Sequence, residues 1–393
     1  MTSIAAVLVW LVVFVIAYLY TGYPLVLWLV SRIRPRTVYS QSITFSVTLL
    51  ISVYNEARII SSKLKNTMAL DYPNERLEVI VVSDASTDGT DSIVEALAGR
   101  GFKLLRIPER RGKTMGLNAA IRQARGEIIV FSDANILYQK DAIRQLVRNF
   151  ADPNVGCVTG NSCYVENLKS AAHVQENNYW RYEQIIRSLE SRLGSTVGGD
   201  GAIFAIRKDL YTPLQPDAIN DLVIPLQIVA RGYRAIFEPA AVGFESSAGD
   251  FKGEFRRKRR IVNRSWRGIV SVPEVLDPRV VGIFAWQVWS HKVLRWLMLP
   301  MVLTVAAGCF IAYPTGLIYR LGAVGFMASL VIAGLGGLAQ DRLGRLARLA
   351  HGLFYFYMVN LAAFAGIIMA IAGRVEVMWT PERNTSGIST DNS

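Results

Sequence analysis

Side chains suited to binding a nucleotide and a metal ion recur at four places in the first 135 residues. Each place directly follows a short apolar segment, and the four groups are Tyr54-Asn55-Glu56, Asp84, Gly112-Lys113 and Asp133-Ala134-Asn135. A carboxylate can accept hydrogen bonds from a nucleobase or a ribose, and a lysine after a glycine suits a phosphate. An Asp-x-Asn pair supplies oxygen ligands for a hard cation, which would neutralise a pyrophosphate. The residue types therefore indicate a site for a phosphorylated nucleoside.

Four strand-like segments would bring these groups together. The segments are rich in β-branched residues and alternate with helical patterns; they are Val47–Val53, Leu77–Ser83, Lys103–Ile107 and Glu127–Ser132. Continuous apolar strands between helices predict an α/β domain with a mostly parallel, Rossmann-like sheet that has helices on both faces. Ligands of such sheets bind beyond the carboxyl ends of the strands, which is where the four groups lie.

Each group also has a second interpretation as a helix N-cap or a turn. For Ser86 and Asp88 this capping interpretation is as good as a functional one, and it also applies to Asp221, which opens a later apolar helical pattern. Four such groups at one edge of one sheet favour a binding site over capping alone.

The composition restricts the class of protein. The chain has 393 residues, of which 51% are hydrophobic and 19% charged, and its mean hydropathy is +0.27. These values exclude a disordered or fibrous chain and disfavour a purely soluble protein. A formal net charge of +12 indicates an anionic partner, which could be a nucleic acid, a membrane surface or a phosphorylated substrate.

Four uncharged apolar runs predict membrane-spanning helices: Ile4–Val30, Trp296–Tyr319, Leu321–Gln340 and Gly352–Gly373. A cleaved signal peptide is disfavoured for the first run because no basic segment precedes it. Arginines at positions 32, 34 and 36 follow the first run and arginines at 342, 345 and 348 follow the third. By the positive-inside rule both clusters lie in the cytoplasm, so the N-terminus and the tail from Arg374 are expected outside.

A basic segment at residues 252–267 holds eight Lys and Arg residues and one acid. Nucleic-acid binding is one interpretation, but no recognised nucleic-acid motif accompanies the segment. An amphipathic helix attracted to anionic lipid suits the neighbouring spans. Diphosphate binding, with Arg260 as the leading candidate, is compatible with lipid binding on another face of the same helix.

The order and spacing of these motifs resemble family 2 glycosyltransferases of the GT-A fold, especially the membrane-embedded branch that makes cellulose, chitin, hyaluronan and related polysaccharides. The resemblance extends over residues 47–267. It implies that seven residues bind the nucleotide-sugar: Tyr54, Glu56, Asp84, Lys113, Asp133, Arg257 and Arg260. The first three of these would hold the uridine of a UDP-sugar. The resemblance also implies that Asp133 and Asn135 bind Mg²⁺ or Mn²⁺ on the diphosphate, with Asn135 replacing the family's second aspartate.

The same resemblance assigns the chemical step and the acceptor. Asp221 matches the position of the family's general base, which would deprotonate an acceptor hydroxyl for an inverting attack on the anomeric carbon. Asp200 and Gly201 match a segment that borders donor and acceptor. Processive members carry Gln-x-x-Arg-Trp, whereas this chain has Arg257, Arg260 and Ile261, with Trp266 nearby as a further candidate for contacting the acceptor. This departure weakens the expectation of long-chain processivity.

Five parts are therefore expected along the chain. They are a transmembrane helix with a basic flank at 1–36, a GT-A domain at 37–250, basic interfacial helices at 251–297, three transmembrane helices at 298–374 and a polar tail at 375–393. Trp379–Arg383 in this tail resembles a segment that some family members place over the active site.

The functional hypothesis is a metal-dependent inverting glycosyltransferase of the cell membrane, with its catalytic domain in the cytoplasm. It would take a UDP-sugar, synthesise an exopolysaccharide and translocate it through its own spans. The expected partners are the sugar donor, a growing glycan or lipid-linked acceptor and membrane lipids, without nucleic acid; an oligomer is compatible with the sequence. Two alternatives are transfer of one sugar to a lipid or polyprenyl phosphate, and a non-catalytic subunit of a secretion complex.

Overall fold

A computed structural model describes residues 2–165, 171–246, 251–338 and 344–375. The Trp379–Arg383 segment lies outside the described residues. Each helix and strand below is given with its observed bounds.

The first half of the α/β domain is the parallel sheet that the sequence predicts. Its strands and helices alternate in the order β1 (Val47–Val53), α3 (Ala57–Met68), β2 (Leu77–Asp84), α4 (Thr90–Glu95), β3 (Phe102–Ile107), α5 (Lys113–Gln123) and β4 (Ile128–Asp133). β1 pairs in parallel with β2 on one side and with β4 on the other. The chain therefore leaves β1 in one direction and later returns on its other side, which opens a crevice between the ends of β1 and β4.

The second half makes the sheet mixed rather than uniformly parallel. Its elements are β5 (Ile136–Tyr138), α6 (Ala142–Val147), β6 (Val155–Val165), α7 (Ala171–Leu193), β7 (Ile203–Arg207), α8 (Asn220–Ala230) and β8 (Arg234–Ser246). The described sheet has the order β3-β2-β1-β4-β7-β6-β8-β5, and β7 is antiparallel to both β4 and β6. This arrangement agrees with the expected α/β GT-A class, although the antiparallel strands are not visible in the sequence pattern.

The sheet is buried on both faces because alternate side chains of its strands point to opposite sides. Leu49 and Ile51 of β1 pack with Ile60 of α3 in one apolar cluster. Leu50 packs with Leu117 of α5 in the cluster on the other face. Two buried faces explain why the strands consist of continuous apolar residues.

Helices precede and follow this domain along the chain. This helical region comprises α1 (Thr2–Ala17), a π-helical turn (Tyr18–Gly22), α2 (Tyr23–Ile33), α9 (Phe251–Val270), α10 (Pro278–Val281), α11 (Ile283–Val288), a second π-helical turn (Trp289–Val293), α12 (Leu294–Trp296), α13 (Met298–Ile311), α14 (Leu317–Leu338) and α15 (Gly344–Ile371). Within the described residues, the helices long and apolar enough to cross a membrane are Thr2–Ile33, Leu317–Gly337 and Leu349–Ile371.

The expected span at Trp296–Tyr319 is wrong as a single helix. α13 has 14 residues, about 21 Å at 1.5 Å per residue, whereas a hydrocarbon core is about 30 Å thick. Ile283–Trp296 and Met298–Ile311 meet at an angle of 63° and together form either a broken span or a re-entrant pair. The Pro314-Thr315-Gly316 turn separates α13 from α14. Hydropathy alone does not mark this boundary, because the apolar residues continue through the turn.

A buried charge network joins α2 and the helices around the second π-helical turn to α7. His291 has one ring nitrogen 2.9 Å from Glu183 Oε2 and the other 2.8 Å from Glu190 Oε1. Arg295 donates to Glu183 at 2.6 Å, and the hydroxyl of Tyr23 in α2 donates to Glu190. Glu190 Oε2 also accepts a hydrogen bond from the backbone N–H of Val197, 3.0 Å away, in the loop that leads to the candidate active site. This network couples the N-terminal helix to that loop.

Candidate active site

The end of β1 supplies an aromatic platform. The guanidinium of Arg110 lies 3.7 Å from the centre of the Tyr54 ring, which is a cation–π distance. Asp84 is at the neighbouring end of β2, where its two carboxylate oxygens accept the backbone N–H groups of Arg111 and Gly112 at 2.8 and 2.9 Å. The acid predicted to hold the nucleoside thus also shapes the loop between β3 and α5.

The loops at this edge adopt unusual backbone conformations. Asn55 and Ala85 have φ values of 53° and 59°, in the left-handed region that residues other than glycine seldom occupy. Asp88 holds these loops, since its carboxylate accepts the N–H groups of Ala57 and Thr90 at 2.9 and 3.1 Å. The capping interpretation is therefore the one that the geometry gives to Asp88. Glu56 is buried, and its N–H donates to the hydroxyl of Thr90.

A lysine and an aspartate meet at the centre of the crevice. Lys113, at the start of α5, donates to Asp133 Oδ1 at 2.5 Å and to the carbonyl of Gly201 at 3.2 Å. The left-handed Gly112 (φ 84°) precedes this lysine. One side chain therefore links the end of β4 to the segment before β7.

The second residue of the Asp-x-Asn motif faces strand β8. Asn135 Nδ2 donates to Glu245 Oε1 at 2.5 Å, because the pairing of β5 with β8 sets Ile136 opposite Glu245. Burial, together with the charges of Asp133 and Asp200, raises the pKa of Glu245 to about 7. Burial and the neighbouring carboxylates thus favour the protonated form of Glu245.

The acceptor side of the crevice is built on β7 and α8. The carboxylate of Asp200 accepts the N–H groups of Ser162 and Ala202, so it is held by backbone. Asp221 lies in the first turn of α8, and a Cβ atom at Gly201 would be 3.0 Å from its Oδ2. Glycine at position 201 therefore leaves room for the Asp221 carboxylate.

Asp221 has the electrostatic environment of a proton acceptor. Its Oδ1 is buried and has no hydrogen-bond partner within the described residues. Burial raises the pKa of Asp221 above its ordinary value, the charge of Asp200 raises it further, and the charge of Lys113 opposes the rise. A carboxylate with a raised pKa and an unoccupied oxygen is suited to general-base work.

Helix α9 borders this site with its basic residues. Arg264 donates to Thr114 Oγ1 at 3.2 Å and to the carbonyl of Asp217 at 3.0 Å, whereas Arg257 is paired with Glu254 at 2.7 Å. Arg260 is half-buried on the same helix. The ring of Trp266 packs on apolar residues of α9 and α15 that include Val262 and Ala363, so packing accounts for its position.

Comparison with known proteins identifies the domain. Residues 48–212 match the model of the family described as "Glycosyl transferase family 2". The chain carries a family 2 glycosyltransferase domain. The resemblance expected from the motifs and the expectation of an enzyme domain are thereby confirmed.

Curated relatives of this glycosyltransferase domain are polysaccharide synthases by name. The poly-beta-1,6-N-acetyl-D-glucosamine synthase of Staphylococcus aureus (strain COL) is 28% identical over 202 residues, which are 50% of this chain and 48% of that protein. The synthase of the same name from Staphylococcus epidermidis is 26% identical over the same shares. The chain thus spans about half the length of the curated relatives it matches.

A solved structure is similar over nearly the whole chain. It is the mannosyltransferase PcManGT from Pyrobaculum calidifontis in complex with GDP-Man and Mn²⁺, and it is 26% identical with a TM-score of 0.67. The match covers 93% of this chain and 99% of that one. The likeness confirms the fold of the glycosyltransferase domain and includes the helical region.

The structure brings four predicted residues of the glycosyltransferase domain together and adds others that sequence reasoning missed. Lys113, Asp133, Gly201 and Asp221 converge at the centre, and Tyr54 and Asp84 lie at adjacent strand ends. The missed residues are Glu245 and Arg264, and Arg110, which follows the third strand, was given no role of its own. The position of Glu245 depends on the β5–β8 pairing, which has no local signal in the sequence.

Proposed function

We propose that this chain is an inverting, metal-dependent glycosyltransferase of the membrane that uses a nucleotide-sugar to build an exopolysaccharide. The observation that carries the proposal is the environment of Asp221. Its buried Oδ1, which has no hydrogen-bond partner in the described part of the chain, belongs to a carboxylate beside Gly201. The carbonyl of Gly201 accepts a hydrogen bond from the Lys113 ammonium, which is paired with Asp133. A base and a cationic anchor for a leaving diphosphate thus lie on two sides of one crevice.

In this mechanism Asp221 accepts the proton of the acceptor hydroxyl while the hydroxyl oxygen attacks the anomeric carbon. A neutral hydroxyl is a poor nucleophile, so removal of its proton during attack is needed for a fast reaction. Lys113 is placed to neutralise the negative charge that develops on the departing diphosphate. Attack opposite the leaving group inverts the anomeric configuration.

A divalent cation fits the oxygen groups at the ends of β4 and β8. Asn135 directs its amide nitrogen to Glu245, which leaves its amide oxygen, together with the Asp133 carboxylate, for a hard cation. No group of three or more His, Cys, Asp or Glu residues forms a metal cage in the described part of the chain. A sparse protein ligand set is typical of Mg²⁺ or Mn²⁺ held together with substrate phosphates. When bound, the ion would supply positive charge to the diphosphate.

The proposed donor is a UDP-sugar, and the structure of PcManGT with GDP-Man makes GDP-mannose the other donor to test. The Tyr54–Arg110 pair offers a planar cationic surface that can stack on either base. Release of UDP or GDP from a panel of nucleotide-sugars, measured with Mn²⁺ or Mg²⁺ and with EDTA, identifies the donor and tests the metal requirement.

Asp221→Asn tests the assignment of the base. We expect it to abolish sugar transfer while donor binding is retained, because an amide keeps the shape but cannot take the proton. Asp209→Asn is the matched control, since Asp209 is exposed and lies outside α8. Normal transfer by folded Asp221→Asn protein would refute the assignment.

A second function is transfer of a single sugar to a lipid or polyprenyl-phosphate acceptor. The packing of Trp266 between α9 and α15 favours it, because a ring held in an apolar cluster is not available to stack on an acceptor sugar. Mass spectrometry of the product separates the two functions: a ladder of polymer lengths supports the polysaccharide synthase, and one extractable glycolipid supports the single transfer.

The proposal places the catalytic domain on the cytoplasmic side of the cell membrane. The arginines at 32, 34 and 36 support this orientation. Membrane lipids would interact with the exposed basic side chains of α9, which include Lys252 and Arg256.

A further inference from the structure

A fully buried lysine lies directly behind the Asp133–Asn135 turn. Lys63 of α3 has a relative exposure of 0%. Its ammonium donates to Ser132 Oγ and to the carbonyl of Ile136, both at 2.7 Å. These two acceptors flank the turn, so one side chain holds both of its ends.

Tyr138 connects this lysine to the acceptor side of the crevice. Lys63 Nζ lies 4.2 Å from the centre of the Tyr138 ring. The hydroxyl oxygen of Tyr138 lies 2.9 and 3.0 Å from the carbonyls of Phe131 and Ala202, and its one hydrogen can be donated to either. A rigid group therefore connects α3, the Asp133 turn and the residue after Gly201.

Burying the Lys63 ammonium at this position costs desolvation free energy. Burial lowers the pKa of Lys63 to about 7, and the charge of Asp133 acts in the opposite direction. An unbranched apolar side chain could fill the same space without the penalty of removing an ammonium from water. The gain that offsets this cost is the pair of hydrogen bonds to the turn, which only a long side chain with several donors can make from α3.

We propose that Lys63 is a positioning residue for the donor diphosphate and its cation, because it fixes the turn so that Asp133 and Asn135 present their oxygens to the same point. This inference rests on the proposed function. Without the ammonium, Ile136 O and Ser132 Oγ lose a donor, and the turn is free to rotate the two ligand side chains apart. Outer groups that orient metal ligands in this way affect metal affinity strongly.

The test is equilibrium binding to the full chain in detergent, measured by calorimetry. The probes are UDP and GDP, each with and without Mn²⁺, and the nucleosides uridine and guanosine. We expect Lys63→Met to weaken Mn²⁺-dependent binding of the diphosphate about tenfold or more. Binding of the nucleoside should be unchanged, because Tyr54 and Asp84 lie at other strand ends.

Thr67→Val is the matched control. Thr67 is buried on the same helix and donates only to the carbonyl of Lys63 at 2.9 Å. It should leave the Mn²⁺ dependence unchanged even if it lowers stability. Equal weakening of nucleoside and diphosphate binding in both variants would indicate a purely structural lysine and would overturn the proposal, as would wild-type affinity of Lys63→Met for the diphosphate with Mn²⁺.

Ser132→Ala keeps the test decisive if Lys63→Met does not fold. It removes one of the two acceptors of the ammonium and should weaken Mn²⁺-dependent binding in the same direction by a smaller factor. Unchanged binding in this variant would overturn the role of Lys63. If the wild-type chain itself binds neither diphosphate, the proposed function fails, whereas binding that is indifferent to both variants refutes only the positioning role.

Discussion

At the scale of single residues, the chemistry depends on how Lys113 and Asp221 share one electrostatic environment. Burial and the charge of Asp200 raise the pKa of Asp221, and Lys113 limits the rise. Because a base acts only when it is deprotonated, transfer should fall as the pH decreases through the pKa of Asp221. The acidic limb of the pH–activity profile, where transfer is lost as Asp221 takes up a proton, should therefore lie at a higher pH than the ordinary aspartate pKa of 3.8.

Lys113→Gln should move this limb to still higher pH. The substitution removes the charge that lowers the pKa of Asp221, so more base is protonated at any given pH. The measurement is the pH dependence of kcat at saturating donor, so that weaker diphosphate binding does not enter. An acidic limb that stays in place in Lys113→Gln would contradict the coupling between the two residues.

From the strand pattern alone, the candidate site could be predicted where a residue follows its own strand, whereas Gly201 and Asp221 were predicted only through the family resemblance. Tyr54, Asp84, Lys113 and Asp133 are of the first kind, since the end of a parallel strand fixes their place at the ligand edge. Lys63 and Glu245 are of neither kind, because both act through non-local packing: one reaches the turn from a helix face, and the other arrives by pairing of an edge strand. A local pattern carries no information about such contacts.

At the scale of elements, α9 connects catalysis to the helical region. Arg264 touches the loop before α8, while Asn263 donates to the carbonyl of Gly366 on α15 at 3.2 Å. A Cβ atom at Gly366 would lie 2.6 Å from the carbonyl oxygen of Arg259. The close approach of the two helices therefore requires glycine at this position.

Gly366→Ala should separate α9 from α15. We expect the free energy of unfolding to fall by about 1–3 kcal/mol, the usual cost of overpacking, and transfer to decline because Arg264 moves with α9. Gly334→Ala is the control, since a Cβ atom there meets nothing within 4 Å. Thermal unfolding and activity of both variants in detergent are the measurements, and equal stability of the two would contradict the packing argument.

The buried network between α7 and the second π-helical turn predicts a larger loss of unfolding free energy than Gly366→Ala. His291→Gln leaves one of two buried carboxylates without its donor, which should cost about 3–5 kcal/mol of unfolding free energy. His351→Gln is the matched control, because His351 is buried on α15 without a hydrogen-bond partner within the described residues. Chemical denaturation of both variants at neutral pH makes the comparison, and similar losses would show that the network contributes little.

The same network sets a pH dependence of stability. Burial alone would raise the pKa of Glu183, but Arg295 and His291 reverse this and hold it well below its ordinary 4.5. The stabilisation is therefore present above that value and is lost as the pH falls toward the lowered pKa. Glu183→Gln should flatten the fall in unfolding temperature between about pH 5 and pH 3, and an unchanged slope would contradict this account.

The elements themselves were predictable where the pattern is continuous. β1 has the expected bounds, and β2, β3 and β4 differ from them by about one residue because buried parallel strands are uninterrupted apolar runs. The antiparallel strands and the bend before α13 were not predictable. β7 begins just after Asp200 and Gly201, which the resemblance had assigned to the border of donor and acceptor rather than to a strand. The bend before α13 has no signal in hydropathy, which does not record the direction of a helix axis.

At the scale of the whole molecule, the contacts of α15 bear on which side of the membrane Arg374 lies. α15 lies along α9, with the Phe354 ring 5.1 Å from that of Phe251 and the carbonyl of Arg374 3.0 Å from Asn263 Nδ2. The next residue, Arg264, binds the carbonyl of Asp217 in the catalytic domain. A hydrocarbon core of about 30 Å does not fit between these contacts. These contacts therefore predict that Arg374 lies on the side of the catalytic domain, whereas the charge pattern predicts the opposite side.

Labelling of an introduced cysteine at position 375 distinguishes these two predicted locations. In a chain whose own three cysteines are replaced by alanine, Val375→Cys should react with a membrane-impermeant maleimide from the same side as Glu109→Cys in the catalytic domain. Thr315→Cys, in the exposed turn before α14, is the reference for the other side. Reaction of Val375→Cys together with Thr315→Cys would restore the topology predicted from charge.

The hydroxyl of Tyr18 in the first π turn lies 2.8 Å from Ser290 Oγ, across 272 positions of sequence. At a synthesis rate of about 5–20 residues per second, roughly 14–54 s separate the synthesis of the two residues. During that time the Tyr18 hydroxyl does not have Ser290 as its hydrogen-bond partner. This contact between the N-terminal helix and the second π-helical turn therefore forms only after most of the chain has been made.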